Sequence, residues 1–196
     1  MKTVCVYCGS ADRTDGKYLN AASEMGAELA RRGLRLVYGA GSTGLMGAVA
    51  NGALAAGGAV TGVMPSLFNT ATLAHTGLKD VEVVGSLHER KARMAELADG
   101  FVALPGGYGT LDEMFEILTW AQIGLHKKPI GLLNTGGYYD LLLQFIEQMG
   151  REGFIYSQHS GLFCSAATPV ELLNAMESYK SPKGLERWLT REESGE

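Results

Sequence analysis

The chain is expected to fold as an α/β protein, a mostly parallel sheet with helices on both faces. Three observations lead there. Short β-branched runs alternate with longer helical patterns along the whole sequence, the alternation that builds parallel sheets. The 27 glycines among 196 residues are about twice the usual ~7 % usage. They cluster where strand patterns end, the edge at which such sheets bind ligands. Finally, no linker, charge block or repeat divides the sequence, so residues 1–190 read as one Rossmann-like domain and 191–196, REESGE, as a polar tail.

The elements follow in order. TVCVY at 3–7 is a β-branched run too short for a helix and reads as the first strand, followed by a helix over 18–32. A second strand at 34–38 leads through glycines into a helix at 45–56. The third strand, 59–64, stops at Pro65, and 66–80 reads as loop because Pro65, Asn69 and Gly77 break it. A short strand at 81–84 precedes a helix at 87–97. The strand at 101–104 ends in PGG and gives way to a helix over 111–123. A strand at 129–133 and a helix at 138–149 repeat the pattern. A last strand near 162–164 is followed by helices near 170–179 and 185–189.

Composition excludes several function classes. The chain is 46 % hydrophobic and 19 % charged, with net charge −4 and scattered cations, so it lacks the basic stripe of a nucleic-acid binder. Arg31, Arg32 and Arg35 around a helix end, and Lys127 and Lys128 before a strand, read as solvated surface. The N-terminus is too short in its apolar run for a signal peptide, and no stretch reaches the ~20 apolar residues of a membrane span. Cys5, Cys8 and Cys164 are odd in number, which argues against a disulfide framework. Cys5 and Cys8 form a C-x-x-C, but strand alternation puts residues three apart on opposite faces, so they read as core thiols of a cytoplasmic protein. His75, His88, His126 and His159 show no ligand spacing, and no metal site is expected.

Two glycine motifs carry chemistry. Residues 39–44, GAGSTG, match G-x-G-x-x-G between a strand and a helix. The match follows the second strand, and the acid expected about 20 residues on for a dinucleotide ribose is missing. Close packing, or contact with another nucleotide, remains open there. The run LPGGYGTLDE is more specific. Gly106, Gly107 and Gly109 free the backbone for a tight turn, and the following helix offers unpaired N–H groups and its dipole to an anion such as phosphate. Thr110 and Glu113 have the spacing of a capping box, so cap and cradle both stand. The preceding helix begins S-x-x-E at Ser86 and Glu89, another capping box, and sets Arg90 and Met94 on one face. Its start lies at the same sheet edge as the glycine turn, within reach of Arg90 and Lys91, while Arg93 faces solvent. Carboxylates and an arginine beside a phosphate seat suit a glycosidic or phosphate ester, because a carboxylate can activate water or stabilise an oxocarbenium-like transition state.

These residues closely resemble the Lonely Guy (LOG) family. VYCGS at 6–10, YGAGSTGLMG at 38–47, HERK at 88–91, PGGYGTLDE at 105–113 and TWAQIGLHKKPIGLLN at 119–134 carry the likeness. It implies a cytokinin-activating phosphoribohydrolase that splits N6-substituted adenosine 5′-monophosphates into free base and ribose 5-phosphate. It further implies a Rossmann-like homodimer without metal or organic cofactor. By position, Arg90 and Glu113 match the family's catalytic pair. Lys91, Gly106, Gly107, Tyr108, Gly109, Thr110 and Thr119 match its substrate and phosphate contacts, with Gly9, Ser10, Gly41 and Met94 as further nucleotide contacts. Many members carry the label lysine decarboxylase, an activity that needs pyridoxal phosphate and that nothing in this sequence suggests. Departures are Ala40 for a glycine, a small change, Leu87 for a methionine, and Thr72 for a glutamate that contacts substrate. The last leaves plain AMP or an unusual N6 group as a candidate substrate. A non-catalytic nucleotide or molybdenum-cofactor-like carrier of the same fold is the competing reading.

Overall fold

A computed structural model describes residues 1–70 and 72–185. Its strands are β1 (Thr3–Tyr7), β2 (Arg35–Tyr38), β3 (Val60–Pro65), β4 (Asp80–Val84), β5 (Gly100–Ala103), β6 (Ile130–Leu133) and β7 (Cys164–Ala166). The helices are α1 (Gly16–Arg31), α2 (Gly44–Ala55), α3 (Leu87–Leu97), α4 (Tyr108–Gln122), α5 (Asp140–Arg151) and α6 (Pro169–Glu177). All the pairings are parallel, in the order β4-β3-β2-β1-β5-β6-β7. The chain fills one half of the sheet outward from β1, and α3 then carries it back to lay β5 along the other side of β1. That reversal opens a crevice at the carboxyl ends of β1 and β5, where ligands bind in such sheets.

Alternation along β1 sorts the core into two layers. Val4, Val6 and Cys8 face a cluster with Met25, Leu29, Val49 and Leu172, on the side of α1, α2 and α6. Cys5 and Tyr7 face Met94, Met114, Ile117 and Ile130, on the side of α3 and α4. Both thiols are buried, on opposite faces as expected.

Some boundaries differ from the sequence expectation. α4 starts at Tyr108, three residues early, because the extended Gly107 (φ −95°, ψ −151°) already ends the turn and caps the helix. α5 starts at Asp140, since Gly136 and Gly137 hold φ of +60° and +73° and keep the preceding residues in a turn. β7 begins at Cys164 because a 3-10 turn over Ser157–Gly161 occupies the chain just before it. The loop expected after Pro65 is present, and it is tied to the 39–44 turn at Leu73 and His75: Ser42 N donates to Leu73 O at 3.0 Å and His75 N to Ala40 O at 2.9 Å. The expected helix at 185–189, apart from Leu185, and the tail at 191–196 lie outside the described residues.

The cations expected as solvated surface divide: Arg31, Arg35 and Lys127 are exposed, while Arg32 and Lys128 are half-buried. Arg32 pairs with Glu28 and Glu177 at 2.7 and 3.1 Å, Arg35 pairs with Asp80 at 3.3 Å, and Lys128 donates to Ala95 O at 2.8 Å. No helix among the described residues is long and apolar enough to cross a membrane.

Candidate active site

The site starts from the turn between β5 and α4. Gly9 N donates to Pro105 O at 3.1 Å, which ties the end of β1 to the glycine turn. Gly106 has no room for a side chain: a Cβ would overlap Thr110 Oγ1 and lie 2.8 Å from Gly9 N. Gly107 and Gly109, by contrast, face open space. Among the described residues the N–H groups of Gly107, Tyr108, Gly109 and Thr110 have no backbone acceptor, the first bond at this end being Leu111 N to Gly107 O at 3.1 Å. Four free donors at the positive end of a helix make an anion seat.

The capping box read at Thr110 and Glu113 is overturned. Gly107 is the cap, with no side-chain cap bond, and Thr110 is buried within the first turn. Glu113, one turn further on, is therefore free for another partner. It is 7 % exposed, and Arg90 Nη2 donates to its Oε1. Burial pushes the Glu113 carboxyl above its ordinary range, and the charge and hydrogen bond of Arg90 oppose that shift without cancelling it.

Arg90 stands in the first turn of α3, which is capped as expected by Ser86, whose Oγ accepts from Glu89 N at 3.1 Å. The Glu89 carboxylate reaches back to Gly85 N at 2.8 Å, one residue before the cap's own N–H. The guanidinium lies against the backbone of Gly39, where an added Cβ would meet Nη1 at 3.3 Å. Arg90 Nε is buried with no partner, so a donor remains beside the carboxylate.

Around this pair lies a cleft of about 580 Å³. Gly9, Ser10, Arg90, Gly106, Gly107, Tyr108, Gly109, Thr110 and Glu113 all line it, so most of the expected site residues meet in one place. Four do not. Lys91 turns to Asp112 and Glu116 at 3.0 and 3.2 Å; desolvation lowers its affinity for a proton, but these carboxylates outweigh it and hold the ammonium charged. Met94 is 1 % exposed within the core, because a residue one turn beyond Arg90 points under the sheet. Gly41 bridges to Ala74. Thr119 donates to Phe115 O at 2.7 Å and opens onto a groove between α4 and α5.

The 39–44 motif resolves into packing. Thr43 Oγ1 donates to Ser10 O at 2.7 Å, while Leu45 N and Met46 N both point at Gly9 O, at 2.9 and 3.3 Å. The start of α2 is thus closed by the chain's own carbonyl. Gly44 (φ +56°) would press a Cβ within 2.7 Å of Ala11 O. Ala40, read as a small change, holds φ +59°, a left-handed conformation costing an L-residue about 1–2 kcal/mol. Thr72 is exposed, its hydroxyl 3.1 Å from Thr70 Oγ1, and it does not line the cleft.

Sequence reasoning missed Thr14, Tyr18, Leu45, Met46 and Tyr138 in the cleft wall. Tyr18 and Tyr138 sit on different elements and meet edge to face at 5.5 Å, a pairing no local spacing announces. Cys8 also lines the cleft, but burial pushes its thiol well up, so it stays protonated at neutral pH and is no nucleophile. No group of three or more His, Cys, Asp or Glu among the described residues could hold a metal ion.

A protein-family model described as possible lysine decarboxylase matches residues 46–176. The cytokinin riboside 5′-monophosphate phosphoribohydrolase LOG of Oryza sativa subsp. japonica is 48 % identical over 178 residues, 91 % of this chain and 74 % of its own. A cytokinin riboside 5′-monophosphate phosphoribohydrolase of Arabidopsis thaliana is 46 % identical over 179 residues, 91 % of this chain and 78 % of its own. Among solved structures, the molybdenum cofactor carrier protein of Chlamydomonas reinhardtii superposes with a TM-score of 0.70 at 25 % identity, over 90 % of this chain and 96 % of that one.

Proposed function

From the premise that this chain belongs to the cytokinin riboside 5′-monophosphate phosphoribohydrolase (LOG) family, we propose that it hydrolyses the N-glycosidic bond of N6-substituted adenosine 5′-monophosphates. The products are the free base and ribose 5-phosphate. The observation that carries the reading is the Arg90–Glu113 pair, buried in the same cleft as an open helix N-terminus. The free N–H groups of residues 107–110 hold the 5′-phosphate, which sets the ribose over Glu113. As the C–N bond lengthens, positive charge grows on the sugar ring, and the Glu113 carboxylate stabilises it and orients or activates the attacking water. Burial makes this carboxylate a stronger base than an exposed one, while the charge and hydrogen bond of Arg90 favour its ionised form. Arg90 also keeps its Nε proton for the substrate.

The label lysine decarboxylase fits the cleft poorly. Pyridoxal-phosphate chemistry runs through a lysine Schiff base, and no lysine is among the described residues lining the cleft. The chain acts as a single nucleotide-binding domain and as a homodimer. The second point is supported by α5, which buries no residue and exposes Leu141 and Phe145, beside the groove onto which Thr119 opens. The three free thiols support residence in the reducing cytoplasm.

The test is a panel of nucleoside 5′-monophosphates, N6-isopentenyl-AMP and AMP included, scored by chromatography for base and ribose 5-phosphate. The wild type releases base, and Glu113→Gln binds AMP but releases none. The glutamine still accepts a hydrogen bond from Arg90, so its stability loss stays below the about 3–5 kcal/mol of stripping a buried pair of one partner. Base release by the variant at the wild-type rate removes Glu113 from the mechanism. Calorimetric AMP binding with no turnover of any nucleotide would favour the carrier reading.

A further inference from the structure

The phosphate seat depends on the direction in which one glycine peptide faces. The Gly106–Gly107 peptide joins two residues without side chains, so intrinsic preference does little to fix it. In a trans peptide the C=O and N–H point opposite ways; a flip would exchange the Gly107 donor for a carbonyl oxygen, which repels an anion. Among the described residues one group holds the Gly106 carbonyl: Tyr138 Oη donates to Gly106 O at 2.6 Å.

Tyr138 is itself well fixed for this task. Its ring packs edge to face on Tyr18 at 5.5 Å and on Tyr139 at 5.0 Å. Tyr139 Oη donates to Leu104 O at 2.6 Å, so two consecutive tyrosines hold the same turn two residues apart. Asn134 anchors the segment just after Tyr138: its Oδ1 accepts from Tyr139 N and its Nδ2 donates to Asp140 Oδ1, each at 2.7 Å. Tyr139 is buried and purely internal, whereas Tyr138 lines the cleft and is 43 % exposed.

We infer that the Tyr138 hydroxyl is a positioning residue, locking the Gly106–Gly107 peptide with its N–H available to the substrate's phosphate. This rests on the phosphoribohydrolase reading for the identity of the anion but not for the existence of the lock. The lock acts on the phosphate alone, so its loss is felt by ligands that carry one and not by the matching nucleoside. A residue that merely stabilised the cleft would affect both.

Tyr138→Phe keeps both ring contacts and removes only the hydroxyl. Calorimetric titrations of wild type and variant with AMP, ribose 5-phosphate and adenosine read the effect. The Kd for AMP and for ribose 5-phosphate rises about 10-fold, the scale of one hydrogen bond, and adenosine binding stays unchanged. In turnover the loss appears in KM, with kcat largely kept, because a ground-state and transition-state contact is weakened equally. Unchanged ribose 5-phosphate affinity in the variant overturns the inference, as does an equal loss for AMP and adenosine. A wild type that binds ribose 5-phosphate but releases base from no nucleotide refutes the hydrolase reading instead, and the Tyr138 comparison still stands.

Discussion

Gly106→Ala strikes the phosphate seat where the chain is tightest. The new Cβ would overlap Thr110 Oγ1 and sit 2.7 Å from Thr110 Cβ and 2.8 Å from Gly9 N. Neither neighbour can yield cheaply. Thr110 is 3 % exposed, and Gly9 N is held at 3.1 Å from Pro105 O. Overpacking of this kind costs about 1–3 kcal/mol, and a clash with backbone as well as side chain belongs at the upper end. At about 2–4 °C per kcal/mol for a chain of this size, the melting temperature falls by roughly 6–12 °C. Gly107→Ala is the internal control: its Cβ meets nothing within 4 Å and its φ is −95°, so it melts within about 2 °C of wild type. Removing the hydroxyl in Gly106→Ala/Thr110→Ala relieves part of the clash, giving a favourable coupling of at least ~0.5 kcal/mol in a double-mutant cycle. Scanning calorimetry on the wild type, Gly106→Ala, Thr110→Ala, the double variant and Gly107→Ala reads all of this. A Gly106→Ala protein that melts with the wild type, or a cycle that is additive, refutes the close approach.

The other predictions concern charge and thiols. Burial raises the Glu113 carboxyl above the ordinary 4.5, and the proposed mechanism uses its ionised form, so the acid limb of kcat/KM should lie above that pH, with activity lost as pH falls through it. The stability sign is opposite: a carboxyl raised on folding contributes more as pH falls, so melting of wild type minus Glu113→Gln should rise while activity drops. Parallel trends would refute the assignment. Arg90→Lys keeps the charge but loses the planar fork that reaches Glu113; kcat/KM falls at least about 10-fold, and a wild-type value would show that charge alone suffices. Burial pushes the Cys5 and Cys8 thiols well up, so with a thiol reagent at neutral pH the native protein titrates at most Cys164, and denaturant exposes all three. Rapid labelling of Cys5 or Cys8 in the native state contradicts the packing.

The parts legible in the sequence were those set by local pattern. Period and breakers found β1 and α3 to the residue, because a β-branched run and a Ser86 cap announce them directly. Tertiary pairing was less visible. Thr110 looks like a cap by composition, yet the helix begins at Tyr108 with Gly107 as its cap, a residue with no side chain to signal it. The 23-residue gap between Arg90 and Glu113 says nothing about contact until β5 is laid beside β1. Tyr138 is further still, brought in only by the turn at Gly136 and Gly137.

Two helix N-termini, those of α2 and α4, meet at this sheet edge, and their different fates explain what the site can take. Both follow glycine-rich turns, so sequence alone offers two candidate anion seats. α2 spends the N–H groups of Leu45 and Met46 on Gly9 O, which binds β1 to the second turn and takes two of its first donors from any phosphate there. α4 keeps its donors, and Gly9 N secures that turn through Pro105 O. One residue therefore closes the first seat with its carbonyl and braces the second with its amide. The α4 turn thus keeps the larger set of donors, with the Glu113 carboxylate one helical turn behind it, an arrangement that supports the proposed nucleoside monophosphate. A dinucleotide also needs an acid for its ribose about 20 residues beyond the glycine turn, and residues 58–65, GAVTGVMP, hold none.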